Sequence, residues 1–90
     1  MTTTKDKTLI NYKKAQSLLL RIIKMTENQE YCIDIMQQNL AVIGLLKSAH
    51  QMLMKGHLNS CFKKAMGTKN EKRKEEMVKE ILKVTSLYNK

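Results

Sequence analysis

The chain has 90 residues, 17 Lys and Arg against 8 Asp and Glu for a net charge of +9, seven Met, two Cys and no Pro or Trp. That length allows one domain with a modest core of its own, and so favours self-association. No apolar run approaches the 18 residues of a membrane span and no basic leader precedes a small-residue cleavage site, so a cytoplasmic protein is expected, with its cysteines as thiols or ligands rather than a structural disulfide.

Met1 to Lys5 reads as a frayed terminus. A first helix is expected from Asp6 to about Thr26, with Leu9, Ile10, Tyr12, Ala15, Leu18, Leu19, Ile22, Ile23 and Met25 at three-to-four spacing. Its other face offers Lys7, Lys13, Lys14, Arg21 and Lys24 as a basic stripe. The polar break Glu27 to Glu30 follows, where Thr26 with Gln29, or Asn28 alone, is a candidate cap for the next helix.

The second helix is expected from Gln29 or Glu30 to Met66, roughly 50 Å if unbroken. Every residue from Leu40 to Leu46 is apolar or glycine, the mark of a helix buried on more than one side. Gly67 is a candidate C-terminal cap, and Thr68 with Glu71 reads as a capping box. A third helix, Asn70 to Tyr88, presents Met77, Val78, Ile81, Leu82, Val84 and Leu87 at helical spacing. The fold expected is all-α: three helices with a long central one, the first two forming an antiparallel hairpin that pairs with a second copy as a four-helix bundle, with a tetramer as the larger assembly.

No acidic residue stands between Ile35 and Asn70, and the overall basic balance favours a polyanion such as DNA as partner. A solvated lysine-rich surface is the plainer alternative. Within the second helix, His57 and Cys61 are four apart and leave one helix face together, which is chelating geometry. Two thiolates with one imidazole select soft or borderline metals, and three donors suffice for Cu(I) but fall one short of a tetrahedral zinc site. Cys32 lies 25 residues before His57, about 37 Å along one straight helix, so it can join them only from a second, antiparallel copy. Against this stand cysteines that are small buried hydrophobes and a histidine that merely packs. His50, seven residues before His57, is a lesser candidate ligand, and the methionines read as core rather than as a thioether relay.

The segments Tyr31-Cys32 with Asp34, Gln37-Gln38-Asn39-Leu40-Ala41-Val42, and His57-Leu58 with Cys61 resemble the CsoR/FrmR family of metal-responsive bacterial repressors across nearly the whole chain. The resemblance implies a disc-shaped tetramer built of two dimers, with Cu(I) held by Cys32 of one copy and His57 and Cys61 of the other. It implies Tyr31, Glu76 and Glu80 beside the metal ligands, and an apo form that binds operator DNA and releases it with Cu(I). Lys7, Lys13, Lys14, Arg21, Lys24 and Lys47 are the candidate phosphate contacts. The copper branch fits best. Nickel and cobalt sensors of the family place a histidine where Cys61 stands, formaldehyde sensors rely on an N-terminal proline, and persulfide sensors lack the intervening histidine. This chain departs from the family in the glycine and arginines usual around Lys14 to Arg21, in the second-helix arginine near Ile43 or Ser48, and in Met77, where a glutamate is usual. Those departures keep two other readings in view: a copper or zinc buffering protein that does not bind DNA, and a thiol or persulfide switch through Cys32 and Cys61. No nucleophile with an orienting base is evident, so an enzyme is not expected.

Overall fold

The computed structural model describes residues 4–90, and all regular structure among them is helical. Helix α1 spans Thr4–Glu27 and α2 Cys32–His57; a π-helical turn occupies Leu58–Phe62, short α3 Lys63–Met66, and α4 Glu71–Tyr88. The all-α class with a long central helix is thus as expected, and α1 begins slightly before the anticipated Asp6. The chain packs as two compact units, one extending to Lys55 and the other from Gly56 to Lys90.

In the first unit, α1 and α2 run antiparallel. Asn11 Nδ2 donates to the Leu45 carbonyl at 3.4 Å, and the Thr8 hydroxyl, which donates to the Thr4 carbonyl at 2.8 Å, lies 3.8 Å from Met52 Sδ. Thr8 and Ala15 of α1 and Val42 and Ala49 of α2 are buried, small residues that let two helices approach closely.

The connection between these helices differs from the expected caps. Thr26 turns its hydroxyl back to the Ile22 carbonyl at 2.8 Å, and Gln29 takes a left-handed φ of 55°. The Gln29 N–H bonds to the Thr26 carbonyl and the Glu30 N–H to the Met25 carbonyl, the paired bonds of a Schellman ending. Gln29 therefore terminates α1 instead of opening α2. The Tyr31 carbonyl accepts from the Asp34 and Ile35 N–H groups, so α2 starts at Cys32 and not at Gln29 or Glu30.

The long helix is also not α-helical throughout. The Ser60 hydroxyl donates to the Gly56 carbonyl at 2.7 Å, the acceptor that an α-helix reserves for the Ser60 N–H. At this point the ladder widens into the π turn before α3 resumes the α pattern. Gly67 holds the expected capping position in a right-handed conformation, φ −79° and ψ −7°. The anticipated Thr68 and Glu71 box does not form. The Thr68 hydroxyl donates to the Ala65 carbonyl at 2.8 Å, and Asn70, two residues later, caps α4 by accepting from the Arg73 N–H at 3.1 Å. Glu71 pairs with Lys74 at 3.3 Å, but at 83% exposure that pair contributes little.

Burial is sparse. The buried apolar residues are Ala15, Val42, Ala49, Ala65 and Met77, and no large side chain among the described residues is fully enclosed. Many large apolar side chains remain exposed. Leu20, Leu40, Leu82 and Leu87 each keep more than half their surface in water. On α2 one flank, with Val42 and Ala49, packs on α1, while Met36, Leu40, Ile43, Leu46 and Leu53 on a second flank stay exposed.

Candidate functional site

Cys32 is the first residue of α2 and its thiol is free and exposed. The Schellman ending at Gln29 places it there, because α2 can begin only after the left-handed residue. Tyr31 precedes it with 68% of its surface exposed, and Asp34 lies in the first helical turn, where a carboxylate complements the helix dipole.

His57 and Cys61 both belong to the second unit. His57 is half-buried at the last position of α2, and Cys61 is a free, exposed thiol inside the π turn. A π turn is wider than an α turn, yet residues four apart still lie broadly on one side of it. Cys61 Sγ lies 3.8 Å from the Ser60 hydroxyl, which is committed to the Gly56 carbonyl. Sequence reasoning missed both Ser60 and the π turn. The available signal was a serine four residues after a glycine within a helix, which is weak.

Both thiols are exposed in the single chain. Among the described residues no three His, Cys, Asp or Glu side chains gather into a group able to hold a metal ion. Cys32 opens α2 and His57 closes it, 25 residues apart along one helix, with Cys61 in the turn that follows. Two thiols open to solvent and a half-buried imidazole fit a soft monovalent ion by donor chemistry. Glu76 and Glu80, one turn apart on α4, are both exposed.

The candidate phosphate contacts lie on the first unit. Lys7, Lys14 and Arg21 recur every seven residues, close to two helical turns, and form one stripe on α1 with Lys13 and Lys24 beside it. All five are exposed, as is Lys47 on α2, and α1 carries no acid between Asp6 and Glu27. Such a row is suited to a phosphate backbone. No helix among the described residues is long and apolar enough to cross a membrane.

The family model described as metal-sensitive transcriptional repressor matches residues 4–86. The chain belongs to the metal-sensitive transcriptional repressor family. Its members are transcriptional repressors and not enzymes. Among similar proteins, the copper-sensing transcriptional repressor CsoR of Mycobacterium ulcerans is 36% identical over 66 residues, covering 73% of this chain and 56% of that protein. The protein of the same name from Mycobacterium tuberculosis H37Rv is 33% identical over the same proportions. The match thus spans little more than half the length of these curated relatives. No solved structure matches the chain.

Proposed function

We propose that this chain is a copper(I)-responsive transcriptional repressor of the cytoplasm, which binds operator DNA without metal and releases it when Cu(I) binds. The observation that carries the reading is the donor set: two exposed free thiols, Cys32 and Cys61, with His57 four residues before the latter, in a chain of the metal-sensitive repressor family. Cu(I) favours thiolates and tolerates three-fold coordination, which this set provides. Because Cys32 and His57 stand at opposite ends of one long helix, Cys32 of one copy is assigned to the same ion as His57 and Cys61 of another. The large apolar area left exposed on the single chain supports assembly into a dimer, with a tetramer as the larger form.

Lys7, Lys13, Lys14, Arg21, Lys24 and Lys47 are assigned to phosphate contacts, and Tyr31, Glu76 and Glu80 to the surroundings of the metal ligands. Regulation then follows from linkage. An ion that binds the DNA-incompetent arrangement more tightly must weaken DNA binding by the same coupling free energy.

Mixing two defective variants tests the shared site. Cys32→Ala and Cys61→Ala chains should each bind no tight Cu(I) alone. Mixed and refolded together, they should recover one site per mixed dimer, because one copy then offers Cys32 and the other an intact His57 and Cys61. Failure to recover any site would refute sharing between copies. Tight Cu(I) without retention of DNA from upstream of its own gene would favour a buffering protein, and a covalent dimer formed under mild oxidant or sulfide without tight Cu(I) would favour a thiol switch.

A further inference from the structure

The two packed units do not share the positive charge evenly. Residues 56–90 carry nine Lys and Arg against four Glu, more net charge than the 55 residues before them, yet every phosphate contact assigned above lies in the first unit. The excess is concentrated where α3 turns into α4. From Lys63 to Lys74 six of twelve residues are Lys or Arg, and only Glu71 is acidic. That acid is taken up by Lys74 at 3.3 Å. Lys63, Lys64, Lys69, Lys72 and Arg73 are exposed and, among the described residues, make no ion pair. Local bonds hold the backbone that carries them: the Gly67 N–H bonds to the Lys63 and Lys64 carbonyls, the Thr68 hydroxyl to the Ala65 carbonyl, and Asn70 accepts from the Arg73 N–H.

We propose that this basic turn is a second contact for the DNA phosphate backbone, made by Lys63, Lys64, Lys69, Lys72 and Arg73. The inference rests on the reading of the chain as a DNA-binding repressor, and it adds a contact that the stripe on α1 does not contain. It also puts a DNA contact in the unit that holds His57 and Cys61, Lys63 being two residues past Cys61.

Two features separate the turn from an ordinary solvated lysine surface. The first is cost. Lys72 and Arg73 stand in the first turn of α4, where the positive end of the helix dipole favours acids and disfavours cations. Cations that oppose the local fold without an ion pair in return are expected where a partner offsets them. The second is pattern. Beyond Lys74, α4 interleaves Glu75, Glu76 and Glu80 with Lys79 and Lys83, opposite signs at three- and four-residue spacing that offset one another on an exposed face. From Lys63 to Arg73 the charges are of one sign apart from the engaged Glu71. Such a run suits a partner whose own charges are as closely spaced, and duplex DNA carries one negative charge per about 1.7 Å of its axis. Arg73 adds a planar fork that matches a phosphate through two hydrogen bonds.

Two triple variants of equal charge loss test the assignment, with binding to DNA from upstream of its own gene read by fluorescence anisotropy across a salt series. Lys69→Gln with Lys72→Gln and Arg73→Gln should lower the slope of log affinity against log salt by about 0.9 for each phosphate no longer neutralised, up to about 2.7. Lys79→Gln with Lys83→Gln and Lys90→Gln removes the same charge outside the turn and should leave the slope close to that of the wild type. Because Lys72 and Arg73 oppose the dipole of α4, the first variant should keep its helicity and unfold at the same or higher urea, which separates lost contacts from misfolding. An unchanged slope in the first variant would overturn the proposal, and so would equal losses in both, which would leave only net charge at work. Lysine footprinting of the wild type supplies an arm without substitutions. Modification of Lys63, Lys64, Lys69 and Lys72 by an amine-reactive ester, read by mass spectrometry, should slow when DNA is added, and that of Lys83 and Lys90 should not. Protection of the turn by vesicles of anionic lipid but not by DNA would overturn the proposal in favour of a membrane surface. A wild type that binds DNA with the turn unprotected would remove this proposal alone, whereas a wild type without salt-dependent DNA binding would remove it together with the repressor reading.

Discussion

Leu46 gives a quantitative handle on assembly. It lies on α2 with 44% of its surface exposed in the single chain. Full burial of a leucine is worth about 1.5–3 kcal/mol, so roughly 1 kcal/mol per copy remains to be gained on pairing. A twofold interface uses the residue twice, which brings the total to roughly 2 kcal/mol, or about 30-fold in dissociation constant. Leu46→Ala should therefore weaken dimerisation by roughly that factor. It should leave the helix itself intact, because alanine is the strongest helix former. Sedimentation equilibrium across a concentration series, with helicity followed by circular dichroism, measures both quantities. An unchanged dissociation constant with unchanged helicity would refute the assignment of this flank of α2 to the interface.

Three further outcomes are expected. Asn70→Ala removes the acceptor of the Arg73 N–H at the start of α4 and should lower stability by about 1 kcal/mol in urea unfolding; no change would mean that Thr68 or water takes over the cap. Gln29→Gly relieves a side chain held at φ 55° and should raise stability by up to about 1 kcal/mol; a loss would show that the Gln29 side chain contributes more than its backbone costs. Lys14→Ala should weaken DNA binding on all sequences alike and reduce the slope of log affinity against log salt by about 0.9 for each phosphate no longer neutralised, read by fluorescence anisotropy; an unchanged slope would remove Lys14 from the DNA face.

Much of the fold was legible because apolar spacing along a helix is a periodic signal that survives without tertiary context. It gave α1, α4 and the long central run, and the same regularity gave the basic stripe from Lys7 to Lys24. What escaped were local contests between hydrogen-bond partners. Thr26, Asn28 and Gln29 all look like opening residues, yet the Thr26 hydroxyl turned back to Ile22 and Gln29 took the left-handed position that glycine usually fills. Thr68 and Asn70 both qualify as caps two residues apart, and only the backbone geometry at Asn70 decides between them. The π turn, where the Ser60 hydroxyl bonds the Gly56 carbonyl, leaves no periodic trace in the sequence. For the site, the spacing of His57 and Cys61 was readable and the exposure of both thiols was not, because α2 is so apolar that its sequence alone suggested burial.

Copper-driven release of DNA is the property on which the proposed function stands or falls. It is read by an anaerobic titration of Cu(I) into the reduced protein bound to labelled DNA from upstream of its own gene, with free copper held by a competing chelator and Cys32→Ala run in parallel. One Cu(I) per chain should release the DNA from the wild type, and the variant should stay bound through the same range. Wild-type protein that takes up copper and keeps its DNA, or a Cys32→Ala variant that releases it equally well, would contradict a copper-responsive repressor built on this site.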